Sequence, residues 1–220
     1  MSVFDSLSLS EQARQLANPE GSVGIAVAEW LNQNNRAGMA RTIAQLGLRP
    51  GHHVLEIGFG NGRLAAEVMA QCDSVHYAGI EISPTMVEEA LRYNADYVAQ
   101  GRVAFHLGSA NEMPFADAAF DATFSIGVIH FLDNPLPSLR ELRRVMRPGG
   151  IASHGCLDKR TAPPFAVPEH GFFIRDAMEW EALFRSAGFA EIEARVVESE
   201  QIKPDGSPTK RYAIHVVARA

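Results

Sequence analysis

The stretch 54-VLEIGFGNGRL-64 constrains this chain more than any other. Gly58, Gly60 and Gly62 fall at every second position, directly after an apolar run and directly before residues at helical spacing. A strand that turns through glycines into a helix opens a parallel α/β sheet. The same turn removes three side chains where the helix begins, so a ligand can lie against backbone N–H groups. One acidic residue, Glu56, stands inside the apolar run, at the mouth of that turn.

The rest of the chain repeats the unit. Apolar runs of strand length alternate with longer helical patterns, which predicts a parallel sheet wrapped by helices. The expected strands are 53–57, 75–81, 102–107, 120–128, 150–156, 189–197 and 211–220. Between them, helices are expected over Gly62–Gln71, Pro84–Ala99 (capped by Ser83), Pro135–Met146 and Asp176–Ala187, the last stopped by Gly188. The connection 198-ESEQIKPDGSPTK-210 holds no helical pattern and carries Pro204, Gly206 and Pro208. A parallel crossover needs a helix, so this segment reads as a long hairpin and the last strand as antiparallel. Residues 1–50 stand outside the alternation. They read as a helical cap with helices over Leu9–Ala17 and Val23–Leu46, in front of a core over 51–220. A loop at 158–174, rich in proline and aromatics, is expected on the substrate side of that core.

The ligand can be narrowed from residue types. A dinucleotide fingerprint needs G-x-G-x-x-G, and its third glycine would fall on Arg63; a Walker loop needs G-K-[ST], which the chain lacks. Glu56 would repel a pyrophosphate and suit a cationic amino group. Glu81 ends the second strand, at the distance where an acid holds a ribose diol.

Four stretches in order, 54-VLEIGFGNG-62, 79-GIEIS-83, 108-GSANEMPF-115 with 119-AFDATFSIGVIHFL-132, and 147-RPGG-150, resemble a class I S-adenosylmethionine-dependent methyltransferase of the small-molecule kind, with a methyltransferase type 11-like domain. The resemblance implies a doubly wound, Rossmann-like seven-stranded sheet, mostly parallel with an antiparallel last strand and helices on both faces. It implies S-adenosyl-L-methionine as cofactor, with S-adenosyl-L-homocysteine as product. Gly58, Gly60 and Gly62, with Phe59 and Asn61 between them, would carry the methionine part, and Glu56 would orient its amino group. Glu81 would hold the ribose hydroxyls and Ile82 would pack on the adenine. Ser109 stands where the family often has an acid for the adenine amine, a departure that the Ala110 backbone and the Asn111 side chain would cover. Ser125, Ile126 and Gly127 would lie under the sulfonium.

Methyl transfer from a sulfonium is an in-line displacement, so the protein mainly orients the partners. A base is needed only when the nucleophile must lose a proton, and His130, just past the fourth strand, is the candidate. A histidine that positions a loop or touches substrate without proton transfer fits the same place. His154 would face either the site or the core. The remaining histidines lack metal-ligand spacing, and no metal is expected. The cap, with Trp30, Asn34, Met39 and Arg41 on it, and the 158–174 loop are the expected lids over a small-molecule acceptor.

Composition excludes other classes. Charged residues make up 21% of 220, net charge is −6 and the pI is near 5.7, without the basic face of a nucleic-acid binder. Cys72 and Cys156 lack C-x-x-C spacing and read as reduced thiols. The start of the chain shows no signal peptide and no apolar run spans a membrane, so the expected compartment is the cytoplasm. Two other readings stand beside the methyltransferase: a non-catalytic domain that binds S-adenosylmethionine, and a nicotinamide-dependent oxidoreductase, whose tyrosine and lysine relay the chain lacks.

Overall fold

A computed structural model of the chain describes residues 3–202 and 207–220. Seven strands form one sheet: β1 (His53–Ile57), β2 (His76–Glu81), β3 (Val103–Leu107), β4 (Phe120–Ile126), β5 (Met146–Leu157), β6 (Ala190–Ile202) and β7 (Pro208–Arg219). Their order is β3-β2-β1-β4-β5-β7-β6. β7 runs antiparallel to both β5 and β6, and the other pairs are parallel. The order reverses between β1 and β4, where a ligand crevice is expected beyond the carboxyl ends.

The helices among the described residues are α1 (Leu9–Ala17), α2 (Gly21–Asn34), α3 (Arg36–Ala44), α4 (Arg63–Gln71), α5 (Pro84–Tyr93), α6 (Ala95–Ala99), α7 (Leu136–Val145) and α8 (Ala177–Ser186). Local chemistry sets their starts. Ser83 accepts the Met86 N–H ahead of Pro84, and Asp176 with Glu179 forms a full capping box on α8. None of these helices is long and apolar enough to cross a membrane.

Alternation along the strands sends side chains to two cores. On one face Val54, Tyr77 and Phe124 pack under α3 and α4 with Leu64, Ala65 and Val68. On the other, Leu55, Ile80 and Ile214 pack against Leu139 and Leu142 of α7 and Trp180 and Phe184 of α8. A third cluster, Phe4, Ala13, Val27, Phe165 and Phe172, joins the N-terminal segment to the 158–174 loop.

Three expectations need correction. The helix expected over Val23–Leu46 is two, broken at Asn35 (φ −106°, ψ 4°). The Asn34 amide donates to the Trp30 carbonyl 2.7 Å away, and the asparagine pair competes with the helix for its own backbone groups. The helix expected over Pro84–Ala99 breaks at Asn94, whose buried amide donates to the Ala90 carbonyl and across to the Gly62 carbonyl at 3.0 Å. The hairpin expected at 198–210 is mostly strand: β6 and β7 stay paired out to Ile202 and Pro208. Its tip, with Pro204 and Gly206, lies outside the described residues.

Candidate functional site

β1 ends at Ile57 and the chain turns through Gly58, Gly60 and Gly62, with φ of 66°, 54° and 72°. All three sit in the left-handed region that disfavours side chains. They differ in what surrounds them. A methyl group on Gly58 would meet Val128 at 2.4 Å, and one on Gly62 would meet Ala90 at 2.5 Å. A methyl on Gly60 would meet nothing within 4 Å. Gly58 and Gly62 are small so that the turn can pack against the segment just past β4 and against α5, whereas Gly60 is small on an open side.

Two carboxyl groups flank the turn. Glu81, buried at the end of β2, accepts N–H groups from Gly60 (3.0 Å), Ile82 (2.8 Å) and Ser83 (3.1 Å). Burial raises its pKa, and these three donors work against that rise. Glu81 therefore ties the glycine turn to the tip of β2. Glu56, only 2% exposed, accepts the Tyr77 hydroxyl at 2.6 Å. Burial pushes the Glu56 carboxyl up to about 8, the Tyr77 hydrogen bond lowers it, and Glu81 and Glu67 raise it further. With its pKa at about 8, Glu56 is mostly a neutral acid at pH 7.

Most of the expected residues gather at this end of the sheet, in different postures. Ile82 is 51% exposed beside Glu81, an apolar side chain facing outward at the site. Phe59 turns away, buried against Phe105 and over Gly79, where a methyl group would strike its ring at 2.4 Å. Ser109 accepts the Asn111 N–H at 3.2 Å. The Asn111 carbonyl oxygen accepts the Ser138 hydroxyl, which leaves its amide and the half-buried Ala110 facing the rim. Gly127 takes φ 72° just past β4. Ile126 lines the cavity described below, but Ser125 does not reach it. Its hydroxyl bonds His154 at 2.8 Å on the α7–α8 face, so only Ser125 backbone is available to a ligand. His154 itself is fully buried beside Phe184.

His130 is buried between Phe131 and Phe172, next to Gly127. Its Nδ1 accepts the Leu157 N–H at a long 3.5 Å, which assigns the proton of the neutral ring to Nε2. Burial pushes the imidazole down to about 3. At pH 7 such a ring is a poor proton acceptor and a good hydrogen-bond donor.

Several residues at the site carried no sequence signal strong enough to single them out. Helix α2 crosses the glycine turn and is latched to it. Asn32 donates to the Asn61 carbonyl oxygen at 2.9 Å, and Asn61 donates to Glu29 at 3.2 Å. Glu29 also receives Arg63 at 2.7 Å and the Tyr93 hydroxyl at 2.9 Å. Upstream, the Ser83 hydroxyl donates to the Pro19 carbonyl, and the Gly21 N–H donates to Thr85 at 3.2 Å. Beneath α2 and α3 lies a cavity of about 80 Å³, lined by Leu31, Asn35, Met39, Glu56, Gly60 and Ile126 among others. Trp30 stacks on Phe4 at 4.5 Å rather than entering that cavity. Helical spacing marks Glu29 and Asn32 only as a polar face. Tyr77 reads as one more strand apolar until the register sets it near Glu56.

A family model described as a methyltransferase domain matches residues 55–153, which run from β1 to β5 and contain the glycine turn, Glu81 and His130. An O-methyltransferase (resE) of Aspergillus sclerotiorum is 30% identical over 176 residues, covering 77% of this chain and 64% of that protein. The chain belongs to the class I S-adenosylmethionine-dependent methyltransferases. A second relative is the ubiquinone/menaquinone biosynthesis C-methyltransferase UbiE of Geobacter sp. (strain M21), 29% identical over 76% of the chain and 73% of that protein. Among solved structures, phosphoethanolamine N-methyltransferase 2 of Haemonchus contortus, in complex with S-adenosylmethionine, superposes with a TM-score of 0.73. That match covers 97% of this chain and 60% of the other at 16% identity, which shows the fold alone. The chain spans 42–64% of the length of the first three curated relatives it matches.

Proposed function

We propose that the chain binds S-adenosylmethionine in the crevice between β1, β2 and β4 and transfers its methyl group to an oxygen of a small, largely apolar acceptor. The carrying observation is the contrast among the three glycines. Gly58 and Gly62 have protein where a side chain would stand, whereas the side-chain direction of Gly60 is open, and Gly58, Gly60 and the buried Glu56 line one cavity. The flanking residues fit the cofactor part by part. Glu56 lacks a cationic partner among the described residues, as a site for an ammonium group requires. Glu81 has acceptor capacity for a ribose diol beyond its three backbone donors, since an ionised carboxylate offers about four lone-pair sites. Exposed Ile82 suits an adenine face. The bound cofactor supplies the electrophilic methyl carbon. The chain's own residues hold and orient its carrier, exclude water and place the acceptor.

The lid and the histidine narrow the acceptor. The Phe4, Phe165 and Phe172 cluster packs N-terminal segment and 158–174 loop into one apolar roof, with Trp30 and Phe131 against it. We read residues 1–50 and that loop as a joint cap over the acceptor. His130 stacks on Phe172 of this roof as a neutral donor, so it positions an oxygen without taking its proton. An acceptor that ionises readily, such as a phenol or an enol, needs no stronger base. Four relatives carry the name O-methyltransferase, which supports oxygen over carbon.

The test is transfer of isotope-labelled methyl from S-adenosylmethionine to a set of phenolic, enolic, aliphatic-alcohol and amine acceptors, read by mass spectrometry. Methylation confined to the acidic hydroxyls supports the proposal. Methylation of amines only, or tight cofactor binding with no transfer to any acceptor class, contradicts it.

A further inference from the structure

The cofactor reading uses Glu56 but leaves unexplained how a buried acid is held there. No Lys, Arg or His approaches it among the described residues. The charged and titratable groups that face it are Tyr77 of β2, Glu81 at the tip of β2 and Glu67 of α4. Two of these are acids, so the protein builds no counter-charge around Glu56 and leaves the space beside it to the cavity. A buried carboxyl that lines a cavity without a protein cation is a seat for a cation brought by a ligand.

Tyr77 is the group that defines the seat. It is buried, with its ring edge against Phe105 at 5.7 Å, and its hydroxyl donates to Glu56 Oε2 at 2.6 Å. Its own pKa lies well above the usual tyrosine value because of burial and the neighbouring Glu56 carboxyl, so it stays a donor. That contact is the one hydrogen bond of the Glu56 carboxyl among the described residues, and the second oxygen is left without a protein partner. We infer that Tyr77 is a positioning residue for the cofactor's amino group, fixing one Glu56 oxygen so that the other meets the ammonium, and that seating the ammonium expels the Glu56 proton to solvent. The proton balance is simple: Glu56–COOH and a ligand ammonium become a carboxylate–ammonium pair and one released proton. The inference rests on the proposed cofactor.

Three ligands separate the possibilities: S-adenosylmethionine, S-adenosylhomocysteine and 5′-methylthioadenosine, which lacks the amino acid group. Calorimetric titration from pH 6 to 8, repeated in buffers of different ionisation enthalpy, reads affinity and proton release together. For wild type, S-adenosylhomocysteine binding should release close to one proton at pH 6–7 and tighten about tenfold per pH unit toward pH 8, the slope of one linked proton. Methylthioadenosine should bind with neither effect. Tyr77→Phe removes the group that lowers the Glu56 pKa. It should weaken S-adenosylhomocysteine about tenfold at pH 7 and move the rising limb to higher pH, while methylthioadenosine changes less than twofold. A Tyr77→Phe profile that superimposes on wild type overturns the inference, as does equal loss of methylthioadenosine. Absence of proton release in wild type overturns it whatever the variant does. Failure of wild type to bind any of the three contradicts the cofactor reading instead.

Discussion

At the scale of single residues, the glycine turn separates packing from function. Gly62→Ala would set a methyl group 2.5 Å from Ala90 Cβ and 2.9 Å from its Cα, with φ at 72°. Overpacking and left-handed strain together should cost about 2–4 kcal/mol in urea unfolding. Gly60→Ala carries only the strain, about 1–2 kcal/mol, because its methyl meets nothing. It should nevertheless reduce cofactor affinity more than tenfold, since the open side is where the ligand lies. Equal stability losses for the two variants, or unchanged binding by Gly60→Ala, would contradict this division. The glycine spacing was legible in the sequence, as were Glu56 and Glu81, because each breaks a local pattern. Which glycine faces the ligand was not legible, since Val128 and Ala90 approach from the segment past β4 and from α5. Ser125 misleads for a related reason: its turn toward His154 is set by β5, which lies far along the chain.

At the scale of elements, the sequence predicts most of what periodicity and turn chemistry can carry. The strands, the Ser83 cap and the antiparallel last strand all follow from local residues. The helix break at Asn94 does not. Asn94 ends α5 because its amide reaches Gly62, a partner 32 residues away, and no window of the sequence contains both. The latch of α2 on the turn is likewise tertiary. Glu29 gathers Asn61, Arg63 and Tyr93 at one half-buried oxygen, and α2 covers the cavity that Glu56 and Gly60 line. A helix held this way stands over the cofactor's path into that cavity. Glu29→Ala removes the Glu29 contacts of the latch and leaves the Asn32–Asn61 hydrogen bond and the turn in place. The account predicts that it speeds both association and dissociation of S-adenosylhomocysteine in stopped-flow, each by about 3–10-fold, the worth of one or two exposed hydrogen bonds. Unchanged rates would show that α2 does not gate the site.

At the scale of the whole molecule, buried ionisable groups set the pH range of stability. His130 and His154 are pushed down to about 3 and His215 to about 4, each chiefly by burial. A depressed folded pKa means that the unfolded chain binds the proton first. The stability these three contribute is present above about pH 6.5 and is lost as pH falls toward 4 and 3. Glu56 has the opposite sign. Its folded pKa is raised to about 8, so its contribution is full below about pH 4.5 and drains away as pH rises to 8. The ligand-free chain should be most stable near pH 6.5. Between pH 4.5 and 6.5 the three histidines and Glu56 oppose each other, so the net slope should approach two protons; above pH 6.5 the Glu56 slope of one proton, of opposite sign, remains, each proton being about 1.4 kcal/mol per pH unit. Glu56→Gln should abolish the decline between pH 6.5 and 8 in urea unfolding and steepen the limb between pH 4.5 and 6.5 by about one proton. A decline that survives Glu56→Gln would assign it to another group. Cofactor binding should flatten the same limb, because it converts Glu56 to its ionised form.

The most direct measurement is isothermal titration of S-adenosylmethionine into wild type and Glu81→Ala. The account predicts micromolar binding by wild type, weakened by about 1.5–3 kcal/mol in the variant, the value of hydrogen bonds to a charged group. A folded wild type that does not bind, or a Glu81→Ala variant that binds as tightly, would contradict a cofactor site built on the glycine turn and the tip of β2.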